Sequence, residues 1–287
     1  MMFRPRESFD QRLIEADLSI GPEPSQLRYV QDVFGNTVGI ARFERRSHEL
    51  TFESRLRLEH TPIAAFAGLE GETAAYHGQM PFSYSPEDMP DLLRSMERAH
   101  PDPGGEVERW ARRFVQRNGP TSLQGLLTDM THAIHSEFGY AKRLEGGAQT
   151  PLQTLKLKRG SCRDFAVLMM EAVRALGLAA RFVSGYIYCP PGGRDSGYKG
   201  GGHTHAWVRV YLPVCGWVEF DPTNGIVGNA GLVRVAISRD PRQATPLHGA
   251  WMGLPSDSLG MDVEVEVDVE RADGAQPVPR NSVAMAG

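Results

Sequence analysis

The stretch RGSCRDFAVLMMEAVRALGL, residues 159–178, constrains the fold more than any other part of the chain. Its apolar residues recur at the spacing of one helical face and a glycine follows them, which predicts an amphipathic helix over residues 162–176. Ser161 and Asp164 have the spacing of a capping box, so Ser161 is the predicted N-cap. The first residue of a helix that packs on the core is therefore Cys162.

Three roles are open to Cys162: a small buried residue, a metal ligand or a nucleophile. A helix N-terminus favours the reactive thiolate, because unpaired N–H groups and the positive end of the helix dipole converge there. A single cysteine is more often an inert buried residue. The chain has three cysteines, Cys162, Cys189 and Cys215, without CxxC spacing, which argues against a disulfide framework and a structural zinc knuckle and leaves at least one thiol free.

The stretch HTHAWVRVYLPVCGWVEFDPTNG, residues 203–225, predicts a β-hairpin. If odd positions pair with odd positions, His205 and Asp221 project from the same face, opposite each other or one step diagonal, within hydrogen-bond reach. A carboxylate in that place fixes the tautomer of the imidazole while the other ring nitrogen faces a thiol. The pattern thus predicts a catalytic triad of Cys162, His205 and Asp221.

Other residues near this hairpin have competing interpretations. His203 shares the nominal face of His205 but follows the glycine-rich segment 189–203, so we expect it to lie in a loop, and we expect that segment to gate the cleft. Glu219 shares a face with Asp221 but lies nearer the turn, as a salt-bridge partner would. A zinc site at the triad residues and His203 is a less favoured alternative, since thiolate, imidazole and carboxylate all bind zinc.

Period-two alternation and turn signals divide the chain into regions. Residues 11–60 have strand patterns, with alternation at Leu50, Phe52, Ser54, Leu56 and Leu58, and the Gly35-Asn36 pair marks a hairpin that we interpret as a generic surface turn. The valines and acids of MDVEVEVDVE predict one C-terminal strand. The predicted regions are an N-terminal β domain over 1–62, a connector over 63–105 with a short helix near 88–98, a catalytic or binding core over 106–250, a strand over 251–271 and a flexible tail over 272–287.

Composition and charge exclude several classes of protein. The formal net charge is −4 over 287 residues, so nothing in the charge indicates nucleic acid or an anionic membrane as a partner. The N-terminus lacks an apolar signal core, and charged residues interrupt the longest apolar region, 165–188, so the sequence predicts no membrane span. We expect a cytoplasmic globular protein without a metal or cofactor. The sequence does not indicate the oligomeric state.

Three blocks resemble, in order and spacing, the core of bacterial transglutaminase-like proteins, which are often described as candidate cysteine proteases: GSCRDFAVLMMEAVRALGLAARFVSGY, HAWVRVYLP with GWVEFDPTNG, and AISRDPRQATPLHG. The RPRESFDQRL and DVFGN segments are similar to the N-terminal β region of that family. The resemblance implies an α+β, papain-like fold in which a helix carries the cysteine and an antiparallel sheet carries the histidine and aspartate. By motif position these residues are Cys162, His205 and Asp221.

The resulting hypothesis is cysteine-dependent acyl transfer on a protein or peptide amide, through the triad and a thioester intermediate. Water as acceptor gives hydrolysis or deamidation, and a primary amine gives crosslinking. One oxyanion donor is expected to be the Cys162 backbone N–H. The alternative is a non-catalytic protein- or peptide-binding module on the same fold. An enzyme similar to arylamine acetyltransferases is less favoured, because no glycine loop suited to the phosphates of coenzyme A is evident.

Overall fold

The structure, a computed structural model, describes residues 1–69, 77–143, 147–188, 199 and 202–270. It confirms an α+β architecture in which small antiparallel sheets precede a mixed core. The strands are β1 (Gln11–Gly21), β2 (Gln26–Gln31), β3 (Thr37–Arg42), β4 (Thr51–His60), β5 (Gln79–Met80), β6 (Thr121–Ser122), β7 (Gly139–Tyr140), β8 (Arg159–Gly160), β9 (Ala180–Ile187), β10 (His205–Leu212), β11 (Gly216–Asp221), β12 (Ile226–Val227) and β13 (Leu232–Ser238). The helices of the described residues are α1 (Met89–Met96), α2 (Glu106–Arg112), α3 (Leu123–Glu137), α4 (Pro151–Leu157) and α5 (Cys162–Ala175).

Two antiparallel pairs build the N-terminal region. Strand β1 pairs with β4, and β2 forms a hairpin with β3. Along β4 the even-numbered residues are half-buried and the odd-numbered ones exposed, as a period-two pattern predicts. The predicted alternation is wrong only for Leu50, which precedes the strand and is exposed.

The Gly35-Asn36 turn of the β2–β3 hairpin is not a generic surface turn. Gly35 has the positive φ (73°) that a tight turn uses, but Asn36 is completely buried. The Asn36 amide donates to the Ile237 carbonyl oxygen (2.8 Å), and its Oδ1 accepts from Ile237 N–H (2.9 Å), so one side chain satisfies both backbone groups on the edge of β13. The surface-turn interpretation is wrong because Asn36 is buried against β13. No local pattern indicates this contact, since Ile237 lies 201 residues away in the sequence.

An antiparallel sheet of five strands, in the order β12-β11-β10-β9-β13, lies at the centre of the core. Helix α5 packs across β9 and β10, and its apolar stripe is buried, as predicted. Helix α3 packs beside α5, and the apolar residues at the spacing of one helical face are buried. They are Leu123, Leu126, Leu127, Met130 and Ile134 within the helix and Phe138 at its C-cap.

The sequence pattern predicts short secondary-structure elements less well than long ones. Helix α1 matches the short helix predicted near residues 88–98. Helix α4 is not predicted, since 7 residues are too few to establish a helical period. In the part of the chain that the structure describes, no helix combines the length and the apolar character that crossing a bilayer requires. The domain boundaries themselves stay a prediction.

The valine and acid alternation near the C-terminus does not form the predicted strand. Residues 258–270 are outside any strand, although Val265 N–H donates to the Gly202 carbonyl oxygen (3.1 Å). Among the described residues this is the one backbone hydrogen bond of that segment, and a strand needs a run of such bonds to one neighbour. Residues 271–287, which include the predicted tail, lie outside the described residues.

A buried ion network joins the N-terminal region to the core. Asp10 accepts from the guanidinium of Arg234 (2.7 Å) and from the Asn229 amide (2.6 Å), and Arg234 also bonds to Glu219 (3.0 Å). The Gln11 side chain donates to the Arg234 carbonyl oxygen and accepts from its N–H (both 2.9 Å). Burial would raise the pKa of Asp10, but the hydrogen bonds and the charge of Arg234 lower it to about 2. The network therefore ties β1 to β13 and β11.

We expect Asp10→Asn to lower the free energy of unfolding at neutral pH by about 2 kcal/mol, because the buried Arg234 loses a charged partner. An acid with a depressed pKa in the folded state stabilises the fold above its unfolded pKa and loses that effect as pH falls through the folded pKa. The difference between wild type and variant should therefore shrink from about pH 4 to about pH 2. Urea denaturation across this pH range measures the difference.

Glu59→Gln is the matched control, since the Arg12–Glu59 pair is exposed, and it should cost less than about 0.5 kcal/mol. A difference between wild type and Asp10→Asn that is as large at about pH 2 as at neutral pH would contradict the role of the Asp10 charge.

Candidate active site

Cys162 is the first residue of α5, and the surrounding bonds fix that end of the helix. Ser161 is the N-cap and the predicted capping box is present. The completely buried Asp164 carboxylate accepts from Ser161 N–H (2.7 Å), from the Ser161 hydroxyl (2.9 Å) and from Gln149 N–H (2.7 Å). Cys162 is 8% exposed, so its thiol lies at the rim of the core.

Close packing requires the glycine that precedes the N-cap. A Cβ atom at Gly160 would lie 2.7 Å from Asp164 Cβ and 3.2 Å from the Phe165 ring. Strand β8, which contains Gly160, pairs in parallel with β7, and this register places Gly160 beside Tyr140. The GSC sequence therefore combines a glycine that lets the capping carboxylate approach, an N-cap and a thiol.

His205 and Asp221 form a buried pair. The predicted register, odd positions with odd positions, is confirmed, since Arg209 lies opposite Glu219. The same register puts Asp221 one step diagonal from His205. His205 Nε2 lies 2.8 Å from Asp221 Oδ2, and neither side chain is accessible to solvent. That these residues are catalytic stays a prediction.

The Asp221 charge determines the protonation state of His205. Burial by itself lowers the pKa of the imidazole, but the charge and hydrogen bond of Asp221, together with the Cys162 thiol, raise that pKa to about 10. Burial raises the pKa of Asp221, whereas the His205 charge and the hydrogen bonds that the carboxylate accepts lower it on balance. At neutral pH the pair is therefore an imidazolium and a carboxylate.

The second ring nitrogen of His205 is available to a reacting group. Nε2 is bound to Asp221, which leaves Nδ1. Nδ1 is buried and has no hydrogen-bond partner among the described residues. The Cys162 thiol also raises the pKa of this ring, so the thiol lies near enough to act on the imidazole.

The sequence pattern does not predict two further residues at the site. Asn224 donates to Asp221 Oδ2 (2.8 Å), and its only signal is an asparagine in a turn, which is common in loops. Tyr140 is half-buried, and burial first, then the charges of Cys162 and Asp221, raises the pKa of its hydroxyl to about 12. Tyr140 comes from a separate part of the chain, so no local pattern links it to the triad.

His203 is bonded to other groups. Its Nδ1 lies 2.9 Å from the Val263 carbonyl oxygen and its Nε2 lies 2.5 Å from Lys142 Nζ, so His205 is the histidine that pairs with Asp221. Within the described ranges, no group of three or more His, Cys, Asp or Glu side chains is placed to hold a metal ion. The geometry of the described residues therefore gives the zinc alternative no support.

The remaining predictions near the site have mixed outcomes. Glu219 forms ion pairs with Arg209 (3.1 Å) and Arg234 (3.0 Å), which confirms its assignment as a salt-bridge partner. Cys162 and Cys215 are both free thiols. This confirms the prediction, from the odd number of cysteines, that at least one thiol is free. Residues 189–198, with Cys189 and most of the expected gating segment, lie outside the described residues.

Two family profiles match two separate parts of the chain. Residues 108–222 match the core of the transglutaminase-like superfamily, a range that includes Cys162, His205 and Asp221. Residues 1–59 match the bacterial transglutaminase-like N-terminal region. Together the two matches span more than half of the chain.

Relatives of known sequence are similar along nearly the whole chain. Uncharacterized proteins of Mycobacterium bovis and Mycobacterium tuberculosis are 28% identical over 280 residues, a stretch that covers 94% of this chain and 85% of each relative. Among solved structures, a candidate cysteine protease from Cytophaga hutchinsonii is similar with a TM-score of 0.61 and 16% identity, over 85% of this chain and 76% of that one. At that identity the similarity establishes the fold.

We expect the His205 ring to stay protonated up to about pH 10 and to titrate at a lower pH in Asp221→Asn, because the group that most strongly opposes the effect of burial is then neutral. Histidine-selective NMR across pH measures both transitions, and His205→Gln assigns the signal.

A group with a raised pKa in the folded state stabilises the fold below its unfolded pKa and loses that effect as pH rises through the folded pKa. The stability of wild type should therefore fall between about pH 6.5 and about pH 10 by an amount that Asp221→Asn lacks. An unchanged titration in Asp221→Asn would contradict the coupling.

Proposed function

Because residues 108–222 belong to the transglutaminase-like superfamily, we propose that this chain catalyses cysteine-dependent acyl transfer on protein or peptide amides. Cys162 is the nucleophile, His205 the general acid and base, and Asp221 the group that orients the imidazole and keeps it charged. The observation that carries this proposal is the solvent-free 2.8 Å contact between His205 Nε2 and Asp221 Oδ2, which leaves Nδ1 for the thiol.

Acylation uses the charge state of the resting pair. The Cys162 sulfur supplies an electron pair to the carbonyl carbon of the amide, and a tetrahedral oxyanion forms. As the oxyanion collapses, the C–N bond breaks and His205 Nδ1 gives its proton to the leaving amine. A thioester and a neutral imidazole result. A proton held by a pair with a raised pKa is present at neutral pH when the leaving group needs it.

Deacylation reverses these roles. The neutral imidazole takes a proton from water or from a primary amine, whose electron pair forms a new C–O or C–N bond. The C–S bond then breaks, and the thiolate and imidazolium are restored. Water yields hydrolysis of the peptide or deamidation of a glutamine, and an amine yields transamidation.

The helix end that carries Cys162 supports charge development. The N–H groups of the first helical turn have no intrahelical acceptor, so the Cys162 N–H is free to donate to the oxyanion. One such donor is worth about 10²- to 10³-fold in rate. Asp164 binds the N-cap from inside the core, so the start of the helix, with the backbone N–H of Cys162, is held in a fixed position.

Glutamine-containing peptides incubated with the protein, with and without a primary amine, test the activity. We expect mass spectrometry to detect a peptide in which oxygen replaces the amide nitrogen, a peptide joined to the amine, or cleavage of a peptide bond. Cys162→Ser should lose this activity by about 10³-fold or more, since the nucleophile is absent.

Cys215→Ser is the matched control, because Cys215 is a second free thiol outside the triad, and it should keep the wild-type rate. Full activity in Cys162→Ser would refute the assignment of the nucleophile. A wild-type protein that binds peptides without changing their mass, and whose Cys162 reacts no faster than Cys215 with an electrophile, would favour a binding module instead.

A further inference from the structure

Both polar atoms of the Asn224 side chain make hydrogen bonds, and the proposed mechanism gives them no role. Its Nδ2 donates to Asp221 Oδ2 (2.8 Å) and to the Lys199 carbonyl oxygen (3.1 Å). Its Oδ1 accepts from Lys199 N–H (2.8 Å). Nδ2 also lies 3.4 Å from His205 Nε2. One amide thus contacts both partners of the buried pair and the backbone of a residue that precedes His205.

The bonds to Asp221 fix the rotation of its carboxylate. Oδ2 receives both His205 Nε2 and Asn224 Nδ2, each at 2.8 Å, and Oδ1 receives Thr223 N–H at 2.9 Å. The terminal torsion of an aspartate is otherwise broad, so the bonds from Thr223 and Asn224 select the orientation that faces the imidazole. Without the Asn224 donor, the His205 bond would be the only one on Oδ2 among the described residues.

Helix α3 supports the Asn224 backbone from the opposite side. His135 Nδ1 lies 2.8 Å from the Thr223 carbonyl oxygen. Gly225, the next residue, has a positive φ (71°), and a Cβ there would lie 3.3 Å from the His135 ring, so the turn lies tightly against the helix. The amide of Asn224 therefore projects from a fixed point.

The same amide also holds the backbone of Lys199. Both polar atoms of the amide bond to both backbone groups of this one residue, as a neighbouring strand would. Lys199 precedes His205 by six positions in the sequence, so Asn224 bonds both to the orienting carboxylate and to a residue close to the histidine along the chain.

We propose that Asn224 is a positioning residue of the triad, which aligns the Asp221 carboxylate with His205 and holds the backbone of Lys199. This inference rests on the proposed function, since a positioning role requires a triad that reacts. Asn224 acts through Asp221, to which it donates.

The rate at which iodoacetamide alkylates Cys162, followed by peptide mass spectrometry across pH, tests the role without a known substrate. Below neutral pH this rate depends on the alignment of the His205 imidazolium with the Cys162 sulfur, and the upper inflection of the pH profile reports deprotonation of His205. In Asn224→Ala we expect the rate below neutral pH to fall about 10-fold, since alignment is lost. In Asn224→Asp the new carboxylate can still accept from Lys199 N–H but cannot donate to Asp221, so the rate should fall as well. Its added charge should also move the upper inflection upward by about one pH unit.

Asn229→Ala is the matched control, because Asn229 is also a buried asparagine that bonds to an aspartate, Asp10, but it lies in the network around Arg234. It should lower thermal stability and leave the alkylation profile unchanged. If both Asn224 variants gave the wild-type alkylation profile, the inference about Asn224 would be overturned while the proposed function stood. The same would follow if Asn229→Ala changed the profile as the Asn224 variants do. A wild-type Cys162 that reacts no faster than Cys215 would overturn the proposed function and, with it, the role of Asn224.

Discussion

The buried contact between His205 and Asp221 is the interaction on which the arrangement of this protein depends. Removing two charges from water costs several kcal/mol per ion, and other bonds must compensate. The compensation is unequal: Asp221 accepts two further hydrogen bonds, from Thr223 and Asn224, whereas the imidazolium keeps a buried Nδ1 without a partner among the described residues. An unfilled donor in the interior is costly, and in the proposed mechanism this donor is the one that serves the Cys162 sulfur. The unpaired buried donor is therefore His205 Nδ1, the atom that moves the proton in the proposed mechanism.

The N-terminal region has a structural connection to this pair. Glu219 lies two residues before Asp221 on β11, and it bonds to Arg234 of β13, which in turn holds Asp10 of the N-terminal region. Asn36 satisfies the edge of the same β13 strand. An open edge in a central sheet invites unwanted pairing, and covering it also stiffens the sheet. The N-terminal region is thus linked through Arg234 and Glu219 to the strand that carries the orienting acid.

Local periodicity is what makes part of this site predictable from the sequence. The helix that begins at Cys162 follows from a 3.6-residue period and a capping box, and the diagonal placement of His205 and Asp221 follows from a period of two across a short hairpin. Contacts between distant segments have no such signal: Asn36 with β13, Asp10 with Arg234, and Tyr140 beside the site all depend on how the layers pack. The C-terminal valines show the reverse case, since alternation is present but no neighbouring edge in the described residues completes a ladder.

The diagonal register also explains which nitrogen of His205 meets the acid. Residues one step diagonal across an antiparallel pair have Cβ atoms roughly 7 Å apart, more than residues directly opposite. Nδ1 lies next to the attachment point of the imidazole ring and Nε2 lies at its far side, so the far nitrogen suits this longer separation, and Nε2 is the nitrogen in the 2.8 Å contact. Nδ1 is then left on the side of the ring that Asp221 does not occupy. A direct pairing of the two residues would bring Nδ1 within reach of the carboxylate and remove the nitrogen that a cysteine at the helix N-terminus needs.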